Sequence, residues 1–206
     1  MKKNFLALSF ALLLVSTSSI LHAQGNAEAG KTKAVSCAGC HGEEGNSTVG
    51  SFPKLAGQHT SYLIKQLQEF KNGTRNDAMM SAMALALTEQ DIEDIAAYYA
   101  EQKTSIDTLP ASAIEDEKQG SDLYRNGDLV REVSACIACH GPLGEGNKPA
   151  AFPALKSQHA DYLIKTLTDY KNGVRSKNPE NPMVMIAKKM TDEEIKDLAY
   201  HISIMR

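Results

Sequence analysis

Apolar residues recur every three or four positions in four stretches of this chain, with polar residues between them. Tyr62, Leu63, Leu67 and Phe70 form one stripe, which Gly73 can end. Tyr162, Leu163, Leu167 and Tyr170 repeat it before Gly173. Ile92, Ile95, Ala96 and Tyr99 line a third helix, and Ile195, Leu198, Ala199 and Ile202 a fourth. Each of these two follows a capping box, Thr88-Glu-Gln-Asp91 (with Asp in place of Glu) and Thr191-Asp-Glu-Glu194. Further helices are predicted over Asn26–Cys40 and Glu115–Cys139, the second with a turn at Arg125-Asn-Gly-Asp128. No strand pattern stands out, so the fold class is all-α.

The first 23 residues follow another rule. Lys2 and Lys3 precede an apolar run from Phe5 to Val15, broken only by Ser9. Ser16–Ser19 is polar, and Leu21-His22-Ala23 offers a cleavage site before Gln24. The run is short against the roughly 20 residues of a membrane-spanning helix. Residues 1–23 therefore read as a signal peptide for export, with a retained N-terminal anchor as the alternative.

The remainder is a duplication. Phe52–Arg75 and Phe152–Arg175 are identical at 14 of 24 positions without a gap. The units are residues 24–103 and 114–206, joined by 104–113, a linker with Ser, Thr and one Pro. Each is small for a self-sufficient apolar core. The chain has no Trp, five Phe and seven Tyr. Its formal charge of −3 is mild, and no stretch is basic enough for nucleic acid.

The four cysteines form two C-x-x-C-H motifs, Cys37-Ala-Gly-Cys40-His41 and Cys136-Ile-Ala-Cys139-His140. This is the attachment pattern for c-type haem. Two thiols one helical turn apart reach the two vinyl groups of one porphyrin, and the adjacent histidine faces the iron. In an exported chain, C-x-x-C alone would suggest a disulfide. The trailing histidine in both copies points to two covalently bound haem c groups instead. A macrocycle at the centre of each unit would supply the missing apolar bulk, so the haem-free units are expected to fold poorly.

The sixth iron ligand separates electron transfer from chemistry on substrate. Methionines cluster before the last helix of each unit: Met79, Met80 and Met83, then Met183, Met185 and Met190. Aligned on the capping threonines, Met80 and Met183 each lie eight residues upstream, whereas Met79 faces Pro182 and Met83 faces Ile186. Met190 aligns with Leu87 and reads as core. Met80 and Met183 are the candidate ligands; the alternative is that all these methionines pack around an apolar cofactor. His59 and His159 are rivals, but they precede the middle helices and fit better as caps or as hydrogen-bonding groups at the haem edge. His201 fits a core or surface role. Arg75 and Arg175 open the methionine loops, either as partners of haem propionates or as solvated charges. Pro53 and Pro153, 12 and 13 residues after the motif histidines, are rigid places to present a carbonyl.

Taken together, two C-x-x-C-H units, F-P-x-L, Q-H-x-x-Y-L-I-K, K-N-G-x-R and the methionine upstream of T-x-x-D/E resemble the dihaem cytochrome c4 family across the whole mature chain. The resemblance implies two tandem class I cytochrome c domains related by pseudo-twofold symmetry. It implies iron held by His41 and Met80 in one and by His140 and Met183 in the other. It implies that the carbonyls of Pro53 and Pro153 hold the histidine rings. It also implies a periplasmic electron carrier, sometimes peripherally membrane-associated, passing electrons from a quinol-oxidising complex toward a terminal oxidase. A monomer is expected, and no enzymatic activity. Unit two departs in an extended segment between Gly120 and Cys136 and in three extra residues between Arg175 and Met183.

Other readings are a dihaem cytochrome subunit of a redox enzyme, such as a flavocytochrome sulfide dehydrogenase, and a haem peroxidase with one open iron. Two zinc sites or two dithiol motifs would use the same cysteines, but zinc needs further ligands and dithiol chemistry does not need the trailing histidine.

Overall fold

The computed structural model describes residues 25–109 and 113–206, so residues 1–23 lie outside the described part. Among the described residues, ten helices fall into two groups of five. The first holds α1 (Ala27–Lys33), α2 (Val35–His41), α3 (Thr60–Asn72), α4 (Ala78–Leu85) and α5 (Glu89–Glu101). The second holds α6 (Ile114–Asn126), α7 (Ile137–His140), α8 (Ala160–Lys171), α9 (Pro182–Ala187) and α10 (Asp192–Ile204). Among the described residues there are isolated bridges, Asp128 with Val133 and Asn147 with Phe152, but no strand. No helix among them is long and apolar enough to cross a membrane.

The architecture follows from one helix crossing used twice. Helix α1 packs across α5, and α6 across α10. Close approach is possible because the crossing residues are Gly30 and Gly120. A Cβ on Gly30 would lie 2.0 Å from the Asp94 carbonyl oxygen, and one on Gly120 2.0 Å from that of Asp197. These contacts are with backbone, so nothing flexible can yield. Gly30→Ala is expected to push α1 off α5 at a cost of roughly 1–3 kcal/mol or more. The thermal midpoint, followed by circular dichroism, should fall by about 10 °C; an unchanged midpoint would mean that the crossing is not tight.

Both capping boxes form: Thr88 with Asp91, and Thr191 with Glu194. Gly73 terminates α3 in the left-handed conformation, as its position suggested. Three expectations need correction. The helix predicted over Asn26–Cys40 is broken at Ala34, where the Cys37 N–H bonds the Ala34 carbonyl three residues back. The helix predicted over Glu115–Cys139 does end at the expected turn, at Asn126 within Arg125–Asp128, but it resumes only at Ile137. Gly127, at φ 63° and ψ −157°, turns the chain out, in a conformation that side-chain-bearing residues resist. The extra residues then form a short hairpin, tied by Arg131 to Asp128 and Glu194. Finally, the methionine segments are helices α4 and α9 rather than loops. The Asp77 side chain accepts from the backbone N–H of Met79 and Met80, and that of Asn181 from Met183, so each segment starts with an N-cap.

The two cores differ by a compensating swap. Counting from the crossing glycines and the capping threonines, Ala34 and Tyr98 of unit one correspond to Tyr124 and His201 of unit two. Tyr98 donates to the Glu43 carbonyl, whereas Tyr124 donates to that of Gly141. The large ring thus comes from opposite helices but ties down the same post-motif turn. His201 is buried against Tyr124 and bonds Glu117 at 2.7 Å, which makes its role a core one.

A seam joins the units with near-twofold reciprocity. Gln58 bonds both backbone groups of Ala154, and Gln158 both of Lys54, with all four bonds at 2.9 Å. His59 Nε2 donates to the Glu145 carbonyl at 2.7 Å. Both ring nitrogens of His159 face acceptors: Nδ1 meets the Asp107 carboxylate at 2.6 Å and Nε2 the Ser47 carbonyl at 3.0 Å. Neither histidine caps its helix with its side chain. They staple the two units, which one copy of the repeat read alone does not reveal. Asp107, in the connecting segment, also pairs with the buried Lys54 ammonium at 2.7 Å.

Candidate haem sites

Helix α2 carries Cys37, Cys40 and His41 on consecutive turns, and α7 with its N-terminal flank carries Cys136, Cys139 and His140. All four thiols are free. Burial pushes the Cys37 thiol up and the Cys136 thiol to about 12, against weaker opposing hydrogen bonds. Thiols in this state are poor dithiol catalysts, which rely on a lowered pKa. No cluster of three or more His, Cys, Asp or Glu side chains suited to a metal ion occurs among the described residues, so the zinc reading finds no support there.

The two motif histidines are placed alike. His41 is buried, and its Nδ1 donates to the Pro53 carbonyl at 2.8 Å; His140 does the same to Pro153 at 3.0 Å. Burial lowers both imidazole pKa values, and the carbonyl bond opposes this only in part. Each ring is therefore neutral, with its hydrogen on Nδ1 and its lone pair on Nε2. That is the tautomer a metal-ligating histidine needs. Phe52 and Phe152 stand beside the rings, with centroids 6.3 and 6.2 Å away.

Met80 and Met183 are half-buried in the first turns of α4 and α9, while Met79, Met83 and Met185 are exposed. Their caps differ by one residue: Asp77 lies three before Met80, Asn181 two before Met183. The face nevertheless matches, because one turn later on the same side come Ala84 and Ala187, both fully buried. Met190 is core, as its alignment with Leu87 suggested.

Arg75 and Arg175 meet at the seam. Arg175 is buried, which overturns the solvated reading for it. It donates to Tyr62 Oη at 2.7 Å and to Gln66 Oε1 at 3.2 Å. Arg75 donates to Gln66 Oε1 at 2.6 Å and to Tyr162 Oη at 3.2 Å. Each guanidinium lies over an equivalent ring, Phe70 or Tyr170. Neither forms an ion pair with a carboxylate among the described residues. Burial would raise the Tyr162 phenol, but the Arg175 and Arg75 charges outweigh it and hold it well below the usual phenol range. A buried and a half-buried cation, neither with a carboxylate partner among the described residues, suit a group that brings carboxylates, as the propionates of haem do. With free neighbouring thiols and a neutral imidazole in each unit, the residues present fit the cofactor the motifs imply.

Tyr62, Tyr162 and Gln66 were missed as functional candidates. The tyrosines lie on the stripes that bury the middle helices, and only their hydroxyls reveal the second role. A surface groove of about 520 Å³ between α6, α10 and the 128–133 hairpin contains none of the candidate cysteines, histidines or methionines.

The cytochrome c family profile matches residues 27–102 and again 118–205. Cytochrome c4 of Azotobacter vinelandii is 41% identical over 207 residues, covering 95% of this chain and 97% of its own length. The crystal structure of reduced recombinant cytochrome c4 from Pseudomonas stutzeri superposes with a TM-score of 0.83 at 41% identity, covering 88% of this chain and all of that one. The thiosulfate dehydrogenase electron acceptor of Thiomonas intermedia is 36% identical over 170 residues, 81% of this chain and 77% of its own length.

Proposed function

Because the chain belongs to the cytochrome c4 family, we propose that it works in the periplasm, taking electrons from a quinol-oxidising complex and passing them toward a terminal oxidase. The protein has two cytochrome c domains with two covalently bound haem c groups, and is an electron carrier rather than an enzyme. The observation that carries the residue-level reading is the repeated placement of a neutral, carbonyl-held histidine beside a free thiol pair.

On this reading Cys37 and Cys40 anchor the first haem, and Cys136 and Cys139 the second. His41 and Met80 hold the first iron; His140 and Met183 hold the second. When bound, each haem supplies a one-electron Fe(III)/Fe(II) couple. The protein's work is to keep that couple closed and poised. The Pro53 and Pro153 carbonyls fix the imidazole planes. A thioether at the sixth position, soft and neutral, favours Fe(II) over Fe(III) relative to a second imidazole. Arg75 and Arg175 give the propionates positive charge at the seam, and the reciprocal glutamine bonds keep the units in one orientation. Residues 1–23 direct export and are removed, leaving domains 24–103 and 114–206 joined by 104–113, in a monomer that associates with the membrane at most peripherally.

The likeness to a thiosulfate dehydrogenase electron acceptor favours one alternative, a carrier serving a periplasmic dehydrogenase. Stopped-flow reduction of the purified holoprotein separates the two. The respiratory reading expects rapid reduction by quinol-oxidising membranes and cyanide-sensitive reoxidation. Reduction only by a purified sulfur-compound dehydrogenase would contradict it.

A further inference from the structure

Tyr99 lies on α5 with 1% of its surface exposed. Its hydroxyl is one of two buried side-chain polar atoms without a hydrogen-bond partner among the described residues; the other is His201 Nε2. Cys37 packs against the apolar cluster that contains Tyr99, and its thiol is the neighbouring polar group for that hydroxyl. Packing holds it there. A Cβ on Gly45 would meet the Tyr99 ring at 2.7 Å, the Tyr98 ring lies tilted beside it at a centroid distance of 5.1 Å, and the Tyr99 carbonyl accepts from Gly57 N–H at 2.9 Å.

Unit two repeats this backbone arrangement without the hydroxyl. Counting from the capping threonines, the counterpart of Tyr99 is Ile202, whose carbonyl likewise accepts from Ser157 N–H at 3.1 Å. Tyr124 packs near Cys136, but its hydroxyl already donates to Gly141 at 2.7 Å. Only unit one therefore keeps a spare, buried O–H beside the first cysteine of its motif. A buried polar group left without a partner costs stability, so its presence calls for an explanation.

We propose that Tyr99 tunes the reduction potential of the first haem by turning its hydroxyl hydrogen toward the Cys37 sulfur and the macrocycle edge attached there. The inference rests on the reading that Cys37 carries haem. The positive end of an O–H dipole in a water-poor interior stabilises added negative charge, and reduction adds one electron to the centre. Tyr99 thus raises the potential of the first centre above the value that phenylalanine would give. The second centre, lined by Ile202, receives no such contribution. Tyr99 is a positioning residue: it ligates nothing and acts only through its dipole.

The test uses the holoprotein. Haem content is measured first, and then each centre is titrated through its own haem-methyl NMR resonances. In Tyr99→Phe the first centre's potential falls, the second stays where it was, and the melting temperature does not drop, because no protein hydrogen bond is lost. Tyr98→Phe is the control: it loses the bond to Glu43 and melts lower, but leaves both potentials in place. Two haems with an unmoved first potential in Tyr99→Phe, or an equal shift at both centres, overturns the inference alone. Haem in unit two only, in the unaltered protein, overturns the reading of Cys37 beneath it. Should Tyr99→Phe fail to load haem, the unaltered protein still decides. Its resonance Raman C–S bands should shift in D₂O for the first haem and not the second, and no shift in either contradicts the inference.

Discussion

Met80→Ala leaves the first haem attached but opens its iron. On the proposed reading, attachment through Cys37 and Cys40 and ligation by His41 do not depend on α4, whose start is set by the Asp77 cap. The side chain removed is half-buried and contributes little to the apolar cluster of unit one. Loss of fold should therefore be small and loss of ligand complete. Without the thioether, Fe(III) is favoured and water or added imidazole enters the sixth position. A hundredfold loss of preference for Fe(II) corresponds to about 120 mV, at about 59 mV per tenfold for one electron, and a fall of this order is expected. The Met–Fe(III) charge-transfer band should halve rather than vanish. Met183→Ala should do the same to the second centre. Met83→Ala, which removes an exposed side chain, should do neither. An unchanged spectrum in Met80→Ala would mean that the ligand is another residue.

Replacing Cys37 and Cys40 together by alanine has a still larger effect, the loss of the first haem and with it the fold of unit one. The buried apolar cluster there consists of Ala34, Leu63, Ile95, Ala96, Tyr98 and Tyr99, a small core for five helices. Apolar burial contributes about 25 cal/mol per Å², so each 100 Å² of cavity wall left wet forfeits roughly 2.5 kcal/mol. Whole domains are stable by only about 5–15 kcal/mol. Val35, Met79, Met83 and Leu85, all exposed, add apolar surface that the protein alone does not cover. Backbone amides of α3 and α5 should exchange with solvent at unfolded rates, while unit two keeps its haem and its protection. Native-like protection in unit one would show that the haem is not part of its core.

How much of this was legible in the chain depends on the kind of signal. Helices α3, α5, α8 and α10 were readable because each buries one stripe and carries a terminator or capping box of its own, such as Gly73 or Thr88 with Asp91. Helices α4 and α9 were not. Ala-Met-Met-Ser-Ala-Met-Ala-Leu is apolar nearly all round, so it has no stripe, and only the Asp77 cap marks a start. The break at Ala34 has no local breaker residue to announce it; the tightening to a three-residue bond is visible only in the backbone. The haem motifs were legible because four cysteines and two histidines have fixed spacings. The seam was not, since His59, His159, Tyr62 and Arg175 find their partners about 86 to 113 residues away. The duplicated segment around them was a clue that these residues answer one another across a twofold, but identity between copies does not say which atoms meet.

The presence of two closed, covalently held haems per chain is tested most directly by an optical redox titration of the purified protein together with its haem-to-protein ratio. Two haems per chain, two one-electron steps and a Met–Fe(III) band of two-centre strength in the oxidised form are the predicted result. A ratio of one, or a band that accounts for a single centre, would contradict it.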